Sequence, residues 1–411
     1  MRTQQFIELF PILGETKVNG RPLVYFDNAA TSQRPAAVVD RISHMSLHGN
    51  ANIHRAVHTL SSIATDAYEE GRDAAREFLN AGSREEVIMT SGTTAAINLL
   101  AYSFTERYVH TGDEIIVGEA EHHSNLVPWQ LAAQRKGARV VYLPMGDDGL
   151  YDLSELDSLI SASTKLVCIG HASNVLGIVN PVKEFVSVCH SHGVPVLVDG
   201  AQGAAHQIVD VQDMDCDFYA FSAHKLFGPT GVGVLYGKRK YLEEIPPFMS
   251  GGEMVGTVSL QYTDFASLPY KFEAGTQNFN AVAALKPALE LVRKMQMDME
   301  MQAEMDATKT WLYNALTAIP GLTLYGTAPD VPMECKLPVF SFTVEGVHHE
   351  DLAILLDKMG VAVRSGQMCA EPLMNHFGVT GMVRASLMPY NTLHEAEYFV
   401  ESLEKAIRML K

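Results

Sequence analysis

Phe218-Tyr219-Ala220-Phe221-Ser222-Ala223-His224-Lys225-Leu226-Phe227-Gly228-Pro229-Thr230-Gly231 sets one lysine directly after an apolar, aromatic run and inside a tight Gly/Pro loop. Asp217 to Phe221 has the continuous apolar texture of a strand covered on both faces. A solvated lysine normally stands among polar neighbours. This one has Ser222 and His224 beside it, both able to reach an anion. Lysine forms imines with carbonyls, and a desolvated site helps keep its amine neutral and nucleophilic. A structural buried lysine is the alternative for this fragment alone.

Moving outward, the same strand texture recurs at Glu85 to Met89, Glu114 to Val117, Arg139 to Leu143, Leu166 to Ile169 and Val194 to Val198, with helical stretches between. That alternation predicts an α/β fold with a mostly parallel sheet and right-handed crossovers. Near Ala281 the texture changes. A Met-rich helical pattern runs from Ala283 to about Met305 and another from Ala307 to Ala318; the methionines read as adaptable core filling. Val339 to Val344 reads as a strand, Glu350 to Met359 as a helix and Thr392 to Leu410 as a terminal helix. These form a smaller α+β domain beginning around residue 290.

Two stretches upstream supply what an imine-forming lysine needs. Thr90-Ser91-Gly92-Thr93-Thr94-Ala95-Ala96-Ile97-Asn98 follows a strand and opens a helix. Its free N–H groups, the glycine and the hydroxyls of Thr93 and Thr94 suit a phosphate, although an ordinary Ser/Thr helix cap reads the same way. Val196-Leu197-Val198-Asp199-Gly200-Ala201-Gln202 ends an apolar strand on an acid, at the edge where α/β sheets bind ligands. A carboxylate there can keep a pyridine nitrogen protonated, and Gln202 can bond a ring hydroxyl; an Asp capping the next helix is the alternative. Phosphate cradle, ring-nitrogen acid and imine lysine together are the parts of a pyridoxal-phosphate site.

Composition narrows the class. At 411 residues two or three domains fit, and 47% hydrophobic against 19% charged residues can bury a large core. The formal charge of −17 argues against nucleic acid and anionic membranes as partners. No run approaches the roughly 18 to 20 apolar residues of a membrane span. Met1 to Gly14 lacks the pattern of a signal peptide and reads as a short docking helix. Cys168, Cys189, Cys216, Cys335 and Cys369 form no C-x-x-C pair, so neither a disulfide framework nor a metal cluster is expected, and a reducing cytoplasm is the default location.

At these residues the chain resembles the class V, fold-type I pyridoxal-phosphate enzymes, and specifically the SufS-type (group II) cysteine desulfurases and selenocysteine lyases. The likeness runs nearly end to end. It includes Phe26-Asp27-Asn28-Ala29-Ala30, His54 to Ser61, Glu121-His122-His123 through Trp129, Ser173-Asn174-Val175-Leu176-Gly177, Phe272 to Thr276, Arg384-Ala385-Ser386-Leu387 and Tyr390-Asn391-Thr392. The resemblance implies a large α/β/α cofactor domain over residues 16–289. It also implies a small α+β domain over 290–411 carrying a cysteine loop, and an N-terminal segment, 1–15, packing on the small domain.

It also implies roles. Lys225 holds pyridoxal 5'-phosphate; His123 stacks on its ring; Thr93, Thr94, Ser222 and His224 contact its phosphate, and Asp199 and Gln202 its ring. Thr276 would reach the phosphate of the other subunit in a homodimer with shared sites. Asn174, Arg384, Arg364 and His54 are the substrate-binding candidates. Cys369, in Arg364-Ser365-Gly366-Gln367-Met368-Cys369-Ala370-Glu371-Pro372, would take sulfur from L-cysteine, or selenium from L-selenocysteine, and the sulfur would pass to an acceptor of the SufE or SufU type for iron–sulfur cluster assembly. The chain departs from the pattern where Gln367-Met368 replaces two histidines before the cysteine, and where Ala95 stands in place of a frequent Glu.

Overall fold

The computed structural model describes residues 3–326 and 333–411. At its centre is a seven-stranded sheet of β1 (Val87–Thr90), β2 (Glu114–Gly118), β3 (Arg139–Leu143), β4 (Thr164–Gly170), β5 (Val196–Asp199), β6 (Phe218–Ser222) and β7 (Gly233–Gly237), in the order β1-β7-β6-β5-β4-β2-β3. The pairs among β2 to β6 are parallel, and β7 alone runs antiparallel to its neighbours β1 and β6. Every residue of β6 and β7 is buried, so both faces need cover.

Alternate side chains sort to the two faces. Val196, Val198, Tyr219 and Phe221 meet α1 (Thr59–Leu79), α4 (Val182–Ser191) and α5 (Leu285–Met297) through Tyr68, Phe78, Phe185 and Leu289. Leu197, Phe218 and Ala220 meet α2 (Thr93–Tyr108) and α3 (Val127–Lys136) through Leu100, Phe104 and Trp129. The six strands expected from sequence are present, and the fold is the expected fold-type I α/β architecture. β7 was not anticipated: in Gly231-Val232-Gly233-Val234-Leu235-Tyr236-Gly237 the glycines interrupt the signal.

The smaller body is an antiparallel sheet of β8 (Leu322–Tyr325), β9 (Val339–Val344), β10 (Arg364–Gly366) and β11 (Met382–Ser386), ordered β8-β9-β11-β10. It is backed by α6 (Met299–Thr317), α7 (His349–Lys358) and α8 (Leu393–Leu410), with Phe340, Phe342, Leu312, Leu356, Phe399 and Leu403 in its core. The expected division at 289/290 falls inside α5, whose Leu289, Val292 and Met295 all enter the large core. Asp298, whose side chain accepts from Met301 N at 3.2 Å, starts α6, whose Met301 still enters the large core while Met305, Leu312 and Leu316 enter the small one. The two helices expected from sequence are present, with the break between them at Asp298 and not near residue 306.

Residues near 24, expected in the large domain, join the small one. Val24–Tyr25 pairs in parallel with Val361–Ala362, and Phe26 packs on Phe399 at 5.4 Å. The N-terminal segment touches both bodies, since Phe6 and Phe10 surround Phe227 of the lysine loop and Tyr390; its first two residues lie outside the described ones. No helix among the described residues is long and apolar enough to cross a membrane.

Candidate active site

β1, β5 and β6 end on one edge of the sheet. The register sets Thr90 and Ser222 on either side of Gly233, and Asp199 between Gly170 and Ala220. A cavity of about 600 Å³ opens over this edge, with Thr93, Asp199, Gln202, Lys225, Cys369 and Arg384 among its walls. Gly233 is required here. A Cβ at that position would overlap Gly92 Cα and lie 2.8 Å from its carbonyl carbon and nitrogen, so only glycine lets the loop before α2 fold onto β7. Gly92 itself has φ 148°, which disfavours other residues.

The fold of that loop gathers anion-binding groups. Thr93 N donates to Ser222 Oγ at 2.7 Å, and the Thr93 and Ser222 hydroxyls are 2.8 Å apart. Thr94 Oγ1 is 2.7 Å from Ser124 Oγ, and His224 Nδ1 is 3.2 Å from Thr31 Oγ1. Hydroxyls bonded to one another at the N-terminus of a sixteen-residue helix form a cradle for a phosphate.

Lys225 projects from the turn after β6 into the same cavity. Burial holds its amine down to about 8; the carboxylate of Asp199 and the thiol of Cys369 pull the other way, and Arg384 pushes with the burial. Asp199 accepts from Ala201 N at 2.9 Å and is itself raised by burial. Gln202 Nε2 donates to Ala29 O at 2.7 Å.

Two neighbours not singled out from sequence also line the cavity. Glu121 accepts from Asn125 Nδ2 at 2.7 Å and from Gly170 N at 2.8 Å, which favour its ionised form, yet burial, reinforced by Asp199, pushes it up to about 8. His122 is driven down to about 4 by burial and by the charges of Lys225, His123 and Arg384, so it is a neutral imidazole. His123 lines the same cavity. Its Nε2 accepts from Glu371 N at 3.2 Å, and its backbone N–H donates to Cys369 O at 2.8 Å. The charge of Lys225 contributes to the lowering at His122, and His123 is hydrogen-bonded to the cysteine loop. Adjacent positions on one loop made the two indistinguishable in the sequence.

Cys369 is exposed, and it and Met368 both adopt left-handed backbone, φ 55° and 53°. Such residues persist only where surroundings impose them. Asn174 Nδ2 donates to Met368 O at 2.8 Å, and the Met368 side chain is buried in an apolar cluster with Met145, Leu176, Ile178 and Met374. The Gln367-Met368 departure thus has a packing basis, with methionine anchoring the loop.

Arg384, only 3% exposed, donates from Nη1 to Asn174 O at 2.9 Å and from Nη2 to Asp27 Oδ1 at 3.2 Å. Its Nε is buried without a partner among the described residues. Arg364, more exposed, lies 2.7 Å from Asp27 Oδ2.

His54 and Thr276 do not reach this cavity within one chain. His54 lines a second cavity of about 340 Å³ with Arg55, Glu253, Tyr270, Gly275 and Gln277, and Thr276 lies exposed between the last two. Behind it, Arg72 is wholly buried, bonded to Glu273 at 2.6 and 2.8 Å and to Glu69 at 2.9 Å, and Glu69 meets His54 at 3.1 Å. Among the described residues no group of three or more His, Cys, Asp or Glu is placed to hold a metal ion.

The residues present fit pyridoxal phosphate. A phosphate cradle, a buried amine of lowered pKa, a buried acid on the adjacent strand and an arginine with an orphaned Nε converge on one cavity. The chain belongs to the aminotransferase class-V family, whose profile matches residues 24–399. It is 44% identical to a cysteine desulfurase of Salmonella choleraesuis over 98% of this chain and 97% of that protein. The solved cysteine desulfurase CsdA of Escherichia coli, in its S-sulfonic acid form, matches with a TM-score of 0.91 at 38% identity, covering 100% of both chains. The apo cysteine desulfurase of Thermococcus onnurineus NA1 matches with a TM-score of 0.93 at 34% identity, covering 100% of this chain and 99% of that one. Within the class-V family the chain stands among the cysteine desulfurases, enzymes that use pyridoxal phosphate.

Proposed function

We propose that the protein converts L-cysteine to L-alanine, leaving a persulfide on Cys369 that passes to a sulfur-acceptor protein of the SufE or SufU type for iron–sulfur cluster assembly. The observation that carries this is the convergence of Lys225, Asp199, Arg384 and Cys369 on one cavity. Ser222, Thr93, Thr94 and His224 would hold the cofactor's phosphate, Lys225 its aldehyde carbon, and Asp199 with Gln202 its ring. When bound, the cofactor supplies an electron-poor ring that stabilises negative charge at the substrate's α-carbon.

The chain's own groups do the rest. Arg384, with its orphaned Nε, receives the substrate carboxylate, and Asn174 contributes its amide. The neutral amine of Lys225 removes the α-proton. His122, neutral and beside Lys225, takes the stacking role that the resemblance assigns to His123. Cys369 as thiolate attacks the substrate sulfur. The sulfur–sulfur bond forms as the carbon–sulfur bond breaks, its electron pair stays with carbon, and two protons complete alanine.

The second cavity belongs to the same reading. His54 and Thr276 serve the site of a second copy, which makes the working unit a homodimer with shared sites. The SufS-type (group II) assignment, a cytoplasmic setting suited to five free thiols, and the alternative of L-selenocysteine as substrate complete the proposal. Cys369→Ala tests it. The variant should keep the visible absorption of the bound cofactor while sulfide release from cysteine collapses; undiminished release removes Cys369 from the mechanism.

A further inference from the structure

The segment that carries Asn174 follows β4 of the large sheet, yet its backbone is held by the small domain. Each carbonyl from Asn174 to Gly177 accepts from a small-domain group. Arg384 Nη1 donates to Asn174 O at 2.9 Å and Ser341 Oγ to Val175 O at 2.6 Å. Lys336 Nζ donates to Leu176 O at 2.6 Å and Leu337 N to Gly177 O at 2.7 Å. The β9/β11 register accounts for the first two donors, since it sets Ser341 beside Arg384.

Ser341 and Lys336 are buried and lie outside the walls of the cavity, so neither meets a ligand there. Lys336 is the more telling of the two. Its Nζ also donates to Gly326 O at 3.2 Å and stands 5.5 Å from the centre of the Phe340 ring. Burial, reinforced by the charge of Lys309, holds its amine down to about 7. An apolar side chain of similar length would pack there without that cost, so stability alone does not call for a lysine. The ammonium supplies direction, through a charge-assisted bond to one particular carbonyl.

The grip reaches the cysteine. Asn174 Nδ2 donates to Met368 O at 2.8 Å, and Met368 and Cys369 hold a left-handed backbone that their surroundings must impose. We propose that Lys336 and Ser341 are positioning residues, which fix the Asn174 segment on the small domain and, through the Asn174 amide, hold Cys369 in its reacting position. The inference rests on Cys369 receiving the substrate sulfur, as proposed above.

Hydrogen exchange on the cofactor-loaded protein tests this without reading turnover. In Lys336→Met the buried carbonyl of Leu176 loses its donor. Peptides covering Ser173 to Val179 and Gln367 to Glu371 should then exchange at least tenfold faster, with β4, β5 and β6 as slow as in the parent. The rate at which Cys369 gains sulfur from L-cysteine should fall at least tenfold, while the visible absorption of the bound cofactor stays as it was. Unchanged exchange around Cys369 or an undiminished rate of sulfur gain overturns the proposal. So does faster exchange throughout the large sheet, which would make the lysine merely structural. Should Lys336→Met fail to fold, Ser341→Ala decides by the same measurements. A parent in which L-cysteine adds no sulfur to Cys369 overturns the underlying reading and this proposal with it. Sulfur gained by the parent, with exchange around Cys369 unaltered in the variant, overturns the proposal alone.

Discussion

In the cofactor-free protein the amine of Lys225 should titrate near pH 8 instead of the 10.5 of an ordinary lysine, because burial disfavours its charged form. At pH 7 that makes about one-tenth of the amine neutral, against about three parts in ten thousand for a solvated lysine, a gain of roughly 300-fold in nucleophile. Competitive reductive methylation across pH 6 to 11, read peptide by peptide by mass, gives the titration directly, with no cofactor group to confuse it. The signs of the neighbours follow from their charges. Asp199→Asn should lower the midpoint further, and Arg384→Gln should raise it. The same shift bears on stability. A lysine whose folded pKa is depressed costs stability in full below about pH 8, and the cost fades as pH rises from 8 to 10.5. Lys225→Met should therefore stabilise the cofactor-free protein by roughly 2–4 kcal/mol at neutral pH, an advantage that shrinks towards pH 10.5. A midpoint above 10, with no stabilisation in Lys225→Met, would refute the reasoning.

Two further substitutions probe the scaffold. Arg72→Met leaves Glu69 and Glu273 facing each other without their buried guanidinium, and should cost about 3–5 kcal/mol in denaturant unfolding; a loss below about 1 kcal/mol would show that the network is not structural. Gly233→Ala must push the Gly92 loop off β7, costing about 1–3 kcal/mol. Because that loop opens the phosphate cradle, pyridoxal phosphate should bind at least tenfold more weakly in a spectroscopic titration. Unaltered affinity would contradict the role given to Gly233.

What the sequence disclosed was chemistry carried on short stretches. Lys225 after its aromatic strand, Asp199 at a strand end and the Gly92-Thr93-Thr94 turn each combine local structure with an unusual residue, so each was visible within about ten positions. Quantities that depend on distant pairing were not visible. Asp27 meets Arg364 only because the Val24–Tyr25 strand joins the small domain, and Glu273 meets Arg72 across 201 positions. Side-chain direction was equally hidden: nothing in Glu121-His122-His123 tells that the His122 ring accepts from Ser124 N while the His123 ring accepts from Glu371 N of the cysteine loop. The helix spanning residue 290 looked continuous because methionine fits either core, and only the cap at Asp298 divides it.

The most direct measurement is the mass of the peptide carrying Cys369 after the cofactor-loaded protein has met L-cysteine, with no reductant and no acceptor present. The account predicts a gain equal to one sulfur atom on Cys369, matched by one equivalent of L-alanine, and no gain on Cys168, Cys189, Cys216 or Cys335. Alanine formed while Cys369 remains a plain thiol, or sulfur found on another cysteine, would contradict it.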